Sequence, residues 1–176
     1  MIVYTIQHLE VFNKIFKNGQ YQTDKRFICA KHFDEAYSWY VDQAKQRIEN
    51  WIETRPIWVW TEKPDLRSWK SSQSSIRTQI NQYVLLTLEI PDDQILLSNF
   101  DLWHFVLNGH NIPYRGKKKT SMNESWSYCL LTDPKELKPI VSIIGEISYK
   151  TQGIIQSISA DQIIAFKEFS IKNIKI

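Results

Sequence analysis

Helix-like and strand-like segments are segregated along this chain, and this segregation constrains the fold more than any other feature of the sequence. Apolar residues at helical spacing cluster in the first three quarters, whereas β-branched segments dominate the last quarter. Because strands and helices do not alternate regularly, we expect an α+β fold with a mixed or antiparallel sheet. The 176 residues match the usual size of one domain, so we predict a single compact domain over 1–176.

Strands are predicted where β-branched and aromatic residues are concentrated between turn-forming residues. The predicted strands cover residues 2–6, 57–60, 83–90, 95–97, 140–147, 153–158 and 163–171. Side chains alternate between the two faces of a strand, so Trp58 and Trp60 share one face of the sheet. Packing into the core is the ordinary alternative to ligand contact for such a pair of rings.

Helices are predicted from apolar residues at three- and four-residue spacing and from capping residues. The predicted helices cover residues 8–17, 32–53, 102–108 and 121–130, with a further short helix after Asp133-Pro134. Ser98 or Asp101 is the expected cap of helix 102–108, and Ser121 with Glu124 forms a capping box. Residues 61–82 contain Pro64 and a serine cluster, which predict an irregular loop with one short helical turn.

Common catalytic and metal-binding motifs are absent from the sequence. The four histidines and two cysteines show no metal-ligand spacing, and no two of the five glycines are close enough to form a phosphate-binding loop.

Cys29 and Cys129 are far apart, so we interpret them as buried thiols of a reducing compartment. With no apolar segment long enough for a bilayer and no secretory signal, we expect a soluble cytoplasmic protein without membrane contact.

A basic loop is the one dense charge cluster of the chain. Arg115, Lys117, Lys118 and Lys119 lie close to Tyr114 and Trp126, which combines phosphate-attracting charge with rings that can stack on bases. The net charge is only +3, so the alternative is a solvated loop that contributes solubility.

The chain resembles an uncharacterised bacterial family, domain of unknown function 3841. The resemblance is carried by Tyr4-Thr5-Ile6-Gln7, by Pro56-Ile57-Trp58-Val59-Trp60, by Lys63-Pro64-Asp65-Leu66-Arg67 and above all by residues 95–108, ILLSNFDLWHFVLN. It covers nearly the whole chain. It implies family membership and no particular activity.

The order of segments is also similar, more distantly, to the plan of ADP-ribosyltransferases. That plan implies NAD as a ligand, with a histidine or arginine on the first strand and a glutamate on a late strand. In this sequence Thr5 or Gln7 stands at the first place, and Gln152 or Gln156 stands at the second. A glutamine can hydrogen-bond a ribose hydroxyl but carries no charge to stabilise a cation, which implies altered chemistry.

Two functional hypotheses follow, and neither assigns a catalytic residue or a metal. The first is a nucleotide-handling domain, in which NAD is the cofactor that the resemblance implies. Its candidate ligand-binding residues are Tyr4, Thr5, Gln7, Trp58, Trp60, Arg67, His104 and Gln156. The alternative is a non-enzymatic module that binds nucleic acid or a partner protein through the basic loop 115–119. A third hypothesis is a plain structural or regulatory domain.

Overall fold

An antiparallel sheet with helices on both faces forms the centre of the computed structural model, which describes residues 1–23, 33–52, 55–73, 82–117 and 121–171. Its strands are β1 (Ile2–His8), β2 (Gln20–Gln22), β3 (Ile57–Trp60), β4 (Gln82–Glu89), β5 (Leu96–Asn99), β6 (Thr151–Ile155), β7 (Ser157–Ser159) and β8 (Ile163–Ser170). Its helices are α1 (Leu9–Asn18), α2 (Asp34–Arg47), α3 (Leu66–Gln73), α4 (Phe100–Leu107), α5 (Met122–Ser127) and α6 (Pro134–Ile144).

Six of the strands pair in the order β5-β6-β3-β1-β4-β8, and every neighbouring pair is antiparallel. The short strands β2 and β7 form a separate two-stranded ribbon. The sheet is antiparallel and is combined with six described helices, so the predicted α+β class is confirmed.

One face of the sheet is covered by α1, and we call it the α1 face. Val3 and Leu86 lie on this face, and they form a buried cluster with Phe12 and Ile15 of α1. The apolar positions of α1 recur every three or four residues, which turns one side of the helix toward the sheet. Gly19 ends α1 at φ 79°, a left-handed conformation that glycine adopts without steric cost.

The opposite face carries α2 and α4, and we call it the α2 face. Leu96 and Ile154 are cross-strand partners on this face and pack with Tyr40 of α2 and Leu102 of α4. Tyr40 is fully buried, and its hydroxyl donates a hydrogen bond to the Leu96 carbonyl at 3.2 Å. The Tyr40 ring is therefore buried with its own hydroxyl satisfied.

Helix α2 is shorter than the sequence predicted, and α6 replaces a predicted strand. The helix expected over 32–53 ends at Arg47, and Ile48 is already extended with ψ 118°. The strand expected over 140–147 was wrong, because α6 continues to Ile144 before Gly145 ends it. Asp133 caps α6, and Leu137 and Ile140 are buried, so capping and packing outweigh the β-propensity of the isoleucine-rich segment.

The region 61–82 also differs from its prediction, since it contains the eight-residue helix α3 within its described part.

The predicted burial of Cys129 is confirmed, and Cys29 lies outside the described residues. In the described ranges, no helix combines the length and the apolar character needed to cross a bilayer.

Candidate functional site

Tyr4 and Trp60 lie directly opposite each other on β1 and β3, on the α2 face. Both side chains are partly buried. Within the described residues, neither side chain makes a hydrogen bond or a ring contact. Trp58 lies on the same face but is held in the core, with its ring centroid 5.4 Å from that of Tyr40 and 5.2 Å from that of Trp103. Tyr4 and Trp60 are therefore the aromatic pair of this face that remains available to a ligand.

A pocket of about 390 Å³ lies beside α3 on the same face. Four basic residues line it, and we call it the cationic pocket: Lys63, Arg67, Lys70 and Lys167. Leu85 and Phe169 contribute apolar surface to its wall. The Lys70 ammonium lies 5.1 Å from the centre of the Phe169 ring, close enough for a cation–π contact.

Helix α3 is capped by Asp65 and packs against the sheet through Trp69. The Asp65 carboxylate accepts hydrogen bonds from the Arg67 backbone N–H at 3.0 Å and from the Ser68 hydroxyl at 3.2 Å. The Trp69 ring packs 5.0 Å from Tyr83 and 5.6 Å from Phe169. Arg67 and Lys70 are three residues apart, so they project from one side of the helix toward the pocket.

The charge of the cationic pocket is strongly positive. Asp65 is its one carboxylate against four basic side chains. The Arg67 backbone N–H lowers the pKa of Asp65, which keeps this carboxylate ionised and engaged as a helix cap. In the part of the chain that the structure describes, no carboxylate forms an ion pair with Lys63, Arg67, Lys70 or Lys167. Their charge is therefore balanced by solvent, which favours an anionic ligand.

The aromatic pair and the cationic pocket are neighbours on the sheet. Leu85 of the pocket lies two residues along β4 from Thr87, and Thr87 is the cross-strand partner of Tyr4. Two residues of a strand span about 7 Å. Lys63 follows Trp60 by three residues, which limits their Cα separation to about 11 Å. One small molecule can therefore reach both features.

Thr5 and Gln7 lie on the opposite side of β1 from Tyr4. The Thr5 hydroxyl donates to the Trp58 carbonyl at 2.8 Å, and the Gln7 amide donates to the Thr5 hydroxyl oxygen at 2.8 Å. Thr5 is 1% exposed. The structure thus brings Tyr4 and Trp60 together with the pocket of Arg67, and it places Thr5 and Gln7 on the α1 face.

His104 and Gln156 do not line the cationic pocket, and each makes a hydrogen bond to a backbone group. His104 is exposed on α4, and its Nδ1 donates to the Phe100 carbonyl at 2.8 Å. Gln156 follows β6, and its side-chain oxygen accepts from the Ile52 backbone N–H. Gln152 is the cross-strand partner of Trp60, is 5% exposed, and its amide nitrogen has no hydrogen-bond partner among the described residues.

The basic loop is exposed where it is described. Arg115 and Lys117 are exposed, and Lys118 and Lys119 lie outside the described residues. The Lys117 ammonium lies 3.4 Å from a Glu124 carboxylate oxygen and 5.8 Å from the centre of the Tyr128 ring. The charge of Lys117 is therefore partly neutralised within the protein.

A family model described as domain of unknown function (DUF3841) matches residues 2–143. The chain belongs to this family. No curated protein and no solved structure matches it. The region matched by the family model includes Tyr4, Trp60, Lys63, Arg67 and Lys70, whereas Lys167 and Phe169 lie beyond it. The family description names no activity, so the chemistry of the site has to carry the functional argument.

Other kinds of site find little support in the described residues. No group of three or more histidine, cysteine or acidic side chains there could hold a metal ion. Cys129 is fully buried, and burial raises its pKa far above the usual range, so its thiol stays protonated.

Sequence reasoning did not identify Lys63, Lys70, Lys167 and Phe169 as site residues. Arg67 and Lys70 have the spacing of one helix side, and this signal would have been visible if residues 66–73 had been predicted as a helix. Lys167 and Phe169 share a strand face because they are two residues apart. No sequence pattern relates them to a helix about a hundred residues earlier.

Proposed function

We propose that this protein binds a nucleotide on the α2 face, with the phosphates in the cationic pocket and the base on the aromatic pair Tyr4 and Trp60. The observation that carries the proposal is the convergence of four basic side chains, from α3, from the segment before it and from β8, on one pocket. Phosphate groups are recognised by clustered lysine and arginine side chains, with arginine able to bind two oxygens at once.

The aromatic pair extends this argument from a phosphate to a nucleotide. The rings of Tyr4 and Trp60 are partly exposed and have no ring partner in the described structure. Stacking of a base on such a ring contributes about 1–3 kcal/mol and tolerates any base, because every base has a π face. The short separation between the pair and the pocket suits one nucleotide better than two independent ligands.

The proposal is tested by calorimetric titration with ATP, ADP, NAD and pyrophosphate at low ionic strength. We expect the double variant Arg67→Ala/Lys167→Ala to weaken nucleotide binding by at least about tenfold, because two charge contacts of ~1 kcal/mol each are lost. The matched control is Lys135→Ala/Lys138→Ala, which removes the same charge from exposed positions of α6. This control should bind nucleotides like the unmodified protein.

Two results would contradict the proposal. The first is an absence of any heat or thermal stabilisation with nucleotides or pyrophosphate at millimolar concentration, where even weak binding shifts the unfolding equilibrium. The second is an equal loss of binding in the pocket variant and in the α6 control, which would show that only the overall charge matters.

Nucleic-acid binding through the basic loop is the second candidate function. Its support is the exposure of Arg115 and Lys117 beside Tyr114. Replacement of Lys117, Lys118 and Lys119 by alanine should then weaken binding to a single-stranded oligonucleotide and reduce its salt dependence. Unchanged binding by the triple variant would assign the loop to solubility alone.

A further inference from the structure

A second pocket, of about 270 Å³, lies at the far end of β6 and shares no residue with the cationic pocket. It lies between the end of α2, the end of β4 and the start of β7. Three nearly fully buried isoleucines contribute its apolar base: Ile48, Ile90 and Ile155. We call it the carboxamide pocket, because four side-chain amides line it: Asn50, Gln94, Gln156 and Gln162.

Two of these amides are held in a fixed orientation. The side-chain oxygen of Gln156 accepts from the Ile52 backbone N–H, and that of Gln162 accepts from the Ser159 backbone N–H at 3.0 Å. A backbone N–H can only donate, so the atom facing it in each amide is the oxygen. The NH₂ groups of both glutamines are therefore left to donate, and neither donates to another described residue.

The rim of the carboxamide pocket also offers acceptors. Glu49 lines the pocket together with the exposed amides of Asn50 and Gln94. Asn50 has φ 60°, a left-handed conformation in which asparagine is one of the few tolerated side chains. No lysine or arginine lines this pocket, so its chemistry does not favour an anion.

We propose that the carboxamide pocket binds an uncharged pyranose, a six-membered sugar ring. Each sugar hydroxyl both donates and accepts, which matches two fixed NH₂ donors beside carboxylate and amide acceptors. The C–H face of the ring is apolar and complements the isoleucine base. A pocket of this size accommodates a single small ring, and fixed donors reduce the ordering cost of binding it.

The test uses the ¹⁵N side-chain NH₂ resonances of Gln156 and Gln162 as reporters. Methyl glycosides of glucose, galactose and mannose are titrated to tens of millimolar, with uridine as an uncharged comparison ligand that lacks a pyranose. We expect at least one glycoside to shift both pairs of resonances in a saturable way. The double variant Arg67→Ala/Lys167→Ala should bind that glycoside normally, because its substitutions lie in the other pocket.

The matched variant is Gln162→Glu. Glutamate keeps the oxygen that accepts from Ser159, and glutamate is as suitable as glutamine in a capping box, so the fold should be retained. The substitution replaces the NH₂ donor with an acceptor, and we expect the affinity for the glycoside to fall by about tenfold. An unchanged melting temperature shows that this loss is local.

Three outcomes would overturn the proposal. They are the absence of any saturable shift with the three glycosides, saturable binding of uridine without binding of a glycoside, and undiminished glycoside binding by Gln162→Glu. None of them depends on the nucleotide titrations, so the two proposals fail or succeed separately.

Discussion

Asn99 and Asp101 hold the backbone of Ser148 from both sides. The Asn99 amide donates to the Ser148 carbonyl at 2.9 Å, and the Ser148 N–H donates to an Asp101 carboxylate oxygen at 2.6 Å. Asn99 is also the N-cap of α4, since its side-chain oxygen accepts from the N–H groups of Asp101 and Leu102. This clamp ties the start of α4 to the segment that leads into β6.

We predict that Asn99→Ala lowers the free energy of unfolding by about 2–3 kcal/mol. The substitution removes a helix cap and leaves the buried Leu102 N–H and the partly buried Ser148 carbonyl without their Asn99 partner. Asn108→Ala is the control, because Asn108 is exposed at the other end of α4 and bonds only within its own helix. Urea unfolding of both variants measures the difference. If Asn99→Ala lowers the free energy of unfolding no more than Asn108→Ala does, the hydrogen bonds of Asn99 do not stabilise the fold as predicted.

Gly153→Ala should destabilise the protein by about 1–3 kcal/mol, the usual effect of overpacking a core. A Cβ atom at this position would lie 2.9 Å from Cδ1 and Cγ1 of Ile95 and 3.0 Å from Cδ2 of Leu97. We expect the effect to be smaller in an Ile95→Ala background, because two of the three clashing atoms are gone. A double-mutant cycle from urea unfolding measures this coupling, and additive effects would refute the steric explanation.

Stability should fall as the pH is lowered through about 6.5, the usual histidine pKa. Burial lowers the pKa of His8, whose ring lies 4.8 Å from Tyr83 and whose Nδ1 is buried without a hydrogen bond among the described residues. The unfolded chain therefore takes up this proton at a higher pH than the folded chain does. Below a pH of about 6.5 the equilibrium shifts toward the unfolded state, so the free energy of unfolding decreases. The decrease is complete once His8 of the folded chain has also become protonated.

The measurement is the free energy of unfolding in urea at several pH values between about 5.5 and 7.5, for the unmodified protein and for His8→Gln. The pH dependence in this window should be smaller in His8→Gln. His110→Gln, at an exposed position, should keep the original dependence. An identical slope in His8→Gln would show that another group titrates.

Asp65→Asn should tighten nucleotide binding severalfold. Asparagine keeps the oxygen that caps α3, and the substitution removes the one negative charge of the cationic pocket. Asp133→Asn is the matched control, because Asp133 caps α6 through the Lys135 N–H in the same way but does not line the pocket. Calorimetric titration compares the two variants. Tighter binding in both, or weaker binding in Asp65→Asn, would contradict the proposed location of the phosphates.

Local sequence signals predicted this fold well where capping and periodicity agree, and poorly where packing decides. The alternation of Ile57–Trp60 correctly placed both tryptophans on one face. The cap of α4 was expected at Ser98 or Asp101, but it is Asn99. The isoleucine-rich end of α6 has the composition of a strand, and the Asp133 cap together with the burial of Leu137 and Ile140 makes it helical.

The candidate site was less predictable than the fold. Tyr4, Trp60 and Arg67 were candidates through the distant resemblance to ADP-ribosyltransferases. Lys167 enters the pocket only because β8 pairs with β4 at the edge of the sheet. The placement of Thr5 beside Tyr4 was avoidable, because strand alternation puts adjacent residues on opposite faces. Long-range pairing determines which side chains meet, and a single sequence does not specify that pairing.

The position of β6 between β3 and β5 has a consequence for how the chain acquires its structure. Among the described strands β5 pairs with β6 alone, so none of them is its partner until residues 151–155 have left the ribosome. The pairing of Ile57 with Ile155 closes a long loop, and such non-local contacts form slowly. Until then, the side chains that β6 will cover are exposed to solvent. The nascent chain is therefore prone to aggregation until residues 151–155 have been synthesised and β6 can join the sheet.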